Sequence, residues 1–161
     1  MIRQICQWLT QYLPSITIPD TEGNPYLTRY FFFGKERKYF NIFLHRFHAS
    51  DKDRADNGTL LLHHHPWRFS LSLILAGGYS EERRQPDDTI ERRDYIPGSL
   101  NYLNDQHFHR VDLLESDGWS LFMTGWRRKA NGRWGFWDRQ ERLYTDGEVQ
   151  LHKLGKKVII L

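Results

Sequence analysis

From Tyr26 onward the chain is a succession of short segments rich in β-branched and aromatic residues, each closed by a turn signal, and this punctuation constrains the fold more than any other feature. YLTRYFFF, KYFNIFLHRF, TLLLHHH, FSLSLILAGGY, TIERRDYI, SLNYL, HFHRVDLL, WSLFMTGW and RWGFW are separated by DNG, GG, QPDD, PG, SDG and NG. Segments this short and this evenly interrupted suit antiparallel strands joined by tight turns, so an all-β sandwich or barrel is expected. Ahead of them, Ile2, Ile5, Trp8, Leu9, Tyr12 and Leu13 recur at helical spacing and Pro14 ends the pattern. One short amphipathic helix over residues 2–13, packed on the outside, follows.

With 161 residues, 39% of them hydrophobic, the chain can bury one core, and a single domain over 1–161 is expected, its barrel and C-terminal edge running from 26 to 161. The tail GKKVIIL can add a last edge strand or dock against another subunit, and a homodimer through edge strands, helix or tail is a further expectation. No apolar run is long enough to span a bilayer and the N-terminus lacks a signal-type apolar block, so the expected location is cytoplasmic, with no membrane partner. Cys6 is the one cysteine, which leaves nitrogen and oxygen as donors for any metal. The net charge of +3 comes from arginine pairs interleaved with acids, as in EERRQPDDTIERRD, which reads as a solvated hairpin and not as a nucleic-acid surface.

The three adjacent histidines of TLLLHHH need to be separated by parity. Alternate side chains of a strand share a face, so Leu61, His63 and His65 look one way and Leu62 and His64 the other. In HFHRVDLL the same rule groups His107, His109, Val111 and Leu113, and the two apolar members mark that face as interior. If both strands line one barrel, His63, His65 and His109 converge inside it, with His107 nearby. Neutral imidazoles suit iron, zinc, copper or nickel, and three of them leave positions open for water or substrate. The alternative reading is a hydrogen-bonded strand end without a metal.

These residues resemble the two short motifs of the cupins, in which a glycine leads to H-x-H and a later glycine, and a Pro-Gly turn leads to a further histidine. Gly58, His63, His65 and Gly77-Gly78 stand for the first, and Pro97, Gly98 and His109 for the second, over roughly residues 38 to 137. The resemblance is to small, uncharacterised cupin-like proteins of bacterial and phage genomes. It implies a double-stranded β-helix, or jelly-roll barrel, with an interior metal. Where many cupins carry a glutamate ligand this chain has Phe69 and Ser70, and Glu81 and Glu82 lie beyond the glycine turn, too far along to be the same ligand. The implied site therefore has three histidines and no carboxylate, similar to the thiol dioxygenases such as cysteine dioxygenase.

The resemblance implies a metal-dependent enzyme, a non-haem dioxygenase-like oxidoreductase acting on a small molecule inside the barrel. Its cofactor would be a divalent transition metal, Fe(II) first, with zinc or nickel as alternatives. His63, His65 and His109 would be the ligands, and His107 and His45 the candidate acid/base or substrate-facing groups. Trp67, Tyr79, Trp119, Trp126 and Arg127 are further pocket candidates, each of which core packing would also explain. His64 is expected to be structural or at the surface, and His152 exposed. Two other readings stand beside this one: a cupin that binds a metal or small ligand without turnover, and a sugar isomerase or epimerase whose histidines act as acid and base, with Arg83, Arg84, Arg92 and Arg93 meeting a phosphate or nucleotide.

Overall fold

A computed structural model describes residues 1–20, 22–34, 39–54, 58–127, 135–140 and 143–146. One helix, α1 (Ile2–Leu9), precedes twelve strands: β1 (Ser15–Pro19), β2 (Pro25–Phe31), β3 (Asn41–Phe47), β4 (Leu61–His63), β5 (Phe69–Ala76), β6 (Tyr79–Arg84), β7 (Ile90–Tyr95), β8 (Leu100–Asn104), β9 (His109–Leu113), β10 (Gly118–Thr124), β11 (Gly135–Asp138) and β12 (Leu143–Asp146). They form two six-stranded sheets, ordered β1-β2-β3-β10-β5-β8 and β12-β11-β4-β9-β6-β7, with neighbouring strands paired antiparallel. The sheets face each other across a shared core: Ile74 and Phe47 of the first pack with Tyr79, Tyr95, Val111 and Leu113 of the second.

The helix is shorter than its periodicity predicts, ending at Leu9, with residues 10–12 in turns. Cys6 and Leu9 are its contacts with the sheet, resting on Leu44, Trp119, Leu75 and Ala76. Trp119 accordingly lies beneath the helix on the outer side of the first sheet, not in the barrel, which corrects its placement as a pocket residue. Strand β1 is not apparent from sequence, where SITIP reads as part of the connection to Tyr26. The tail, with His152 and its expected edge strand, lies outside the described residues.

The first sheet carries an unusual polarity. In β5 the serines Ser70 and Ser72 point inward with Ile74 and are buried, while Phe69, Leu71, Leu73 and Leu75 point outward. Strand β10 repeats the arrangement, with Ser120, Phe122 and Thr124 inward and Leu121 and Met123 outward. Half-buried antiparallel strands ordinarily put their apolar residues inside. Here buried serines and a threonine share the inner face of β5 and β10, and the outer face of these strands is left apolar.

Gly77 and Gly78 join β5 to β6, each with positive φ (75° and 105°). A Cβ on Gly77 would lie 2.2 Å from the backbone oxygen of Asp117, so no side chain fits without moving the β9–β10 turn. Gly77→Ala is expected to lower unfolding stability by about 2 kcal/mol or more, read from the denaturant midpoint. A loss under about 0.5 kcal/mol would show that the turn yields freely.

Candidate metal centre

Strand β4 is only three residues long, and the chain leaves it at His63 because Pro66 cannot donate to a ladder. His63 pairs with His109 on β9, which sets the two rings side by side on the inner face, and His65 reaches the same point from just beyond the strand end. The centroids stand 4.8 Å (His63 to His109), 5.1 Å (His65 to His109) and 5.3 Å (His63 to His65) apart. One nitrogen from each ring falls within 4.8 Å of the other two, and the Nε2 atoms of His65 and His109 are 3.0 Å apart. Two nitrogens bound at a right angle about 2.1 Å from one ion would be about 3.0 Å apart, so this spacing suits a shared metal.

What lies behind the rings fixes which nitrogen faces inward. His109 Nδ1 is 2.7 Å from Glu81 Oε1, and His63 Nδ1 is 3.8 Å from Asp51 Oδ2. At His109 the carboxylate within hydrogen-bond distance of Nδ1 holds the proton there and turns Nε2 toward the centre, as in carboxylate–histidine–metal arrangements, while Asp51 stands behind His63 beyond that distance. Glu81 is itself tightly held. Arg83 donates to its Oε2 from Nε (3.1 Å) and Nη2 (2.7 Å), and Asn101 donates to its Oε1 at 3.0 Å. Asn101 also accepts from Arg83 at 2.7 Å and donates to the Tyr79 hydroxyl at 3.0 Å. Burial alone would raise the Glu81 carboxyl, but the hydrogen bond and charge of His109, the charge of Arg83 and the Asn101 bond outweigh it and hold it at about 2. Glu81 is thus a carboxylate at neutral pH despite being 2% exposed.

Burial pushes His65 well below the ordinary imidazole range, and the neighbouring His109, His63, Arg29 and His45 push the same way. Its ring is neutral at pH 7 and able to donate a lone pair. His45 behaves alike: buried and next to Arg29, it lies well below its usual range. It accepts from Arg29 Nε at 3.1 Å and stacks on Phe122 at 4.7 Å. The guanidinium of Arg29 in turn lies over the rings of Phe43 (4.7 Å) and Trp67 (5.4 Å).

The structure therefore brings His63, His65 and His109 together and places His45 on the facing sheet as an interior neighbour of His65. His107 does not join them. It precedes β9, where its Nδ1 accepts from the Asn104 backbone at 3.3 Å and its ring meets Tyr102 edge-on at 6.4 Å. His64 is not at the surface. It is 6% exposed, accepts from the Gly135 backbone at 3.0 Å and packs on Phe108. Trp67 and Tyr79 are buried interior residues, Arg127 bridges to Trp67 and Trp126 is 56% exposed.

Sequence reasoning missed the supporting shell of Glu81, Arg83, Asn101, Asp51 and Arg29. Parity within β6 was the available signal, since Tyr79, Glu81 and Arg83 alternate onto the inner face, and Arg83 pairs with His109 in register. Arg83 consequently faces inward, while Arg84 pairs with Asp88 and Arg92 donates to Ser80 Oγ, so the arginine hairpin is only partly a solvated one. Phe69 points outward, and Ser70, buried at the position of the absent glutamate, has no hydrogen-bond partner for its hydroxyl among the described residues.

No protein-family model matches the chain, and no curated protein matches it. In fold it is similar to the Fe(II) form of HppE with the alternative substrate (S)-1-HPP, at a TM-score of 0.52 and 7% identity over 71% of this chain and 57% of that one. Hydroxypropylphosphonic acid epoxidase from S. wedmorenis is similar at a TM-score of 0.50 and 7% identity, over 71% and 56% of the two chains. A cupin superfamily protein from Desulfitobacterium hafniense DCB-2 matches at a TM-score of 0.41 and 14% identity, over 56% and 71%. The chain spans somewhat over half the length of the first two structures. At such identities the likeness is one of fold. The chain shares the fold of the first two structures, two antiparallel sheets facing each other around a cluster of three histidines.

Proposed function

We propose that the protein is a metal-binding cupin enzyme, with His63, His65 and His109 holding one divalent transition metal and a small molecule reacting beside it inside the barrel. The observation that carries this is the donor set itself: three imidazoles with nitrogens within 4.8 Å, and no carboxylate among them. Three neutral ligands leave the ion its full charge and open positions, which favours a substrate that brings its own negative or bidentate group. Iron takes first place among the candidate ions, because HppE, which shares the fold, is described in an Fe(II) form with a substrate. Bound there, Fe(II) would supply one-electron chemistry toward dioxygen, the dioxygenase-like activity proposed.

The chain's own residues would orient and confine. Glu81 fixes the tautomer and angle of His109, and Asp51 lies behind His63. His45, neutral and hydrogen-bonded to Arg29, is the nearer candidate for a substrate-facing group. His107, an acid/base candidate on spacing, sits in a turn ahead of β9 and would act only on a ligand reaching that rim. Ser70 Oγ, Ser120 Oγ and Trp67 Nε1 are buried with no hydrogen-bond partner among the described residues, and a polar ligand inside the barrel would complete them. A second reading has an observation of its own. The Glu81–His109 pair, at 2.7 Å, could serve acid/base chemistry without any metal, as in an isomerase or epimerase.

Metal analysis separates the two. The purified protein is expected to carry about one transition metal per chain, and His63→Ala, His65→Ala and His109→Ala each to abolish it. His64→Ala should lose stability and keep the metal, because its ring contacts Gly135 and Phe108 and not the cluster. Full metal content in His109→Ala would sink the site.

Glu81→Gln keeps the shape and removes the charge behind His109. Metal affinity is expected to fall about 10- to 100-fold, measured by competition with a chromophoric chelator. An unchanged affinity would mean that the carboxylate does not act through the histidine. For the reaction, the iron form is to be screened for oxygen uptake with thiols and aromatic acids. Uptake that disappears in His65→Ala is the expected outcome, and turnover of a sugar substrate by metal-free protein would favour the second reading.

A further inference from the structure

Strand direction places the three histidines at one end of the barrel. His63 is the last residue of β4 and His109 the first of β9, and the connection that carries His65 and Trp67 leads on to Phe69 at the start of β5. The first sheet ends at the same place: Thr124, the last residue of β10, pairs with Asn41 at the start of β3 and with Ser70 of β5. Residues just beyond these strand ends therefore form a rim around the three histidines. On the first-sheet side that rim is aromatic. Phe32 and Phe33 follow β2, Tyr39 and Phe40 precede β3, and Trp126 follows β10; they are 38%, 36%, 60%, 45% and 56% exposed. The rings of Phe33 and Phe40 stand 6.3 Å apart. Trp126 is held through the backbone, its carbonyl accepting from the Arg68 amide at 3.0 Å while Gly125 donates to the Phe69 carbonyl at 3.0 Å. Its neighbour Arg127 bridges to Trp67, whose ring stacks on His65 at 5.7 Å, so the rim is joined to a ligand. Below the rim this side of the barrel is filled with rings. Phe31, Phe43, Trp67 and Phe122 pack as one buried cluster, and His65 meets Phe122 at 5.7 Å as well.

We propose that this rim holds the apolar body of the substrate, a soluble carboxylate whose head enters beside the three histidines while an extended alkyl or aryl body lies across Phe32, Phe40 and Trp126. Single exposed apolar residues need no explanation, but five aromatic side chains at one rim, each more than a third exposed, mark a surface that binds. The ring cluster beneath them leaves a long ligand to run outward, over the rim, with its head alone at the histidines. Three neutral imidazoles favour an anionic head. Charge at this end agrees. Arg68, between Trp67 and Phe69, is exposed, while Asp87 and Asp88, in the turn from β6 to β7, are engaged by Thr89 and Arg84. A lipid surface would have to accommodate that charged turn as well, which a single ligand avoids. The inference rests on the metal reading only for what the head meets.

Calorimetric titration of the full chain, zinc-loaded and metal-free, with straight-chain alkanoates from butanoate to decanoate tests this, at concentrations where they stay monomeric. Affinity is expected to rise about twofold for each added methylene, the effect of burying roughly half of it, in both forms, with the loaded protein tighter at every length. Trp126→Ser and Phe40→Ser should each cut the ratio of decanoate to butanoate affinity on the order of fivefold. Both side chains are well exposed, so circular dichroism checks that the fold is kept. A ratio near one in the wild type would overturn the proposal, and so would a ratio that both variants leave unchanged, since the body would then lie elsewhere. Length dependence with no advantage for the loaded form would support the rim and count against the three-histidine metal site. Sedimentation with phosphatidylglycerol vesicles that Trp126→Ser abolishes, without length dependence for free alkanoates, would make the rim a membrane contact and overturn the proposal.

Discussion

Everything in the barrel depends on one register pair, His63 opposite His109 where β4 meets β9. A shift of one residue in either strand would send a ring to the other face, because side chains alternate along a strand. The neighbours of β9 fix its side of the register. Arg83 pairs with His109 and Glu81 with Val111, while Asp51 accepts from the Val111 backbone at 2.8 Å. On the other side, β4 is held by β11, where Phe136 pairs with His63. Glu81, which orients His109, therefore sits on the strand paired with β9, and the Asp51 carboxylate near His63 ties down the β9 backbone at Val111.

That arrangement has a structural cost which the sequence meets with hydrogen bonds. A buried carboxylate and a buried guanidinium are tolerated only when both are paired and their remaining donors and acceptors are satisfied. Glu81, Arg83, Asn101, Tyr79 and His109 satisfy one another in a closed network. On the facing sheet, Arg29 uses His45 and the faces of Phe43 and Trp67 instead. With the interior given over to such groups, much of the apolar surface of the central strands turns outward, where α1 covers one end.

The strands were legible because β-branched and aromatic runs between glycine and proline turns leave few alternatives, and the histidine faces were legible because parity along a strand is a local rule. Position 81 was not, since it meets His109 across two strands, and no spacing within one segment reveals a cross-strand neighbour. Counting along the chain from His65 makes Glu81 too distant to be a ligand, and in three dimensions it stands behind one. Trp119 was misplaced for a related reason: the pattern GWSLFMT does not say which of its two faces is interior, and here a serine, a phenylalanine and a threonine take that side. His107 shares the parity of His109, but β9 begins at His109, so the alternation does not extend back to it.

The central claim is that three imidazoles and no carboxylate from the chain surround one ion. X-ray absorption at the iron edge of the Fe(II)-loaded protein addresses it directly. The account predicts scattering from three histidine rings, with nitrogen near 2.1 Å, and two rings in His109→Ala if the ion is retained at all. A spectrum with one ring or none, or with a carboxylate from Glu81 or Asp51 in the first coordination sphere, would contradict it.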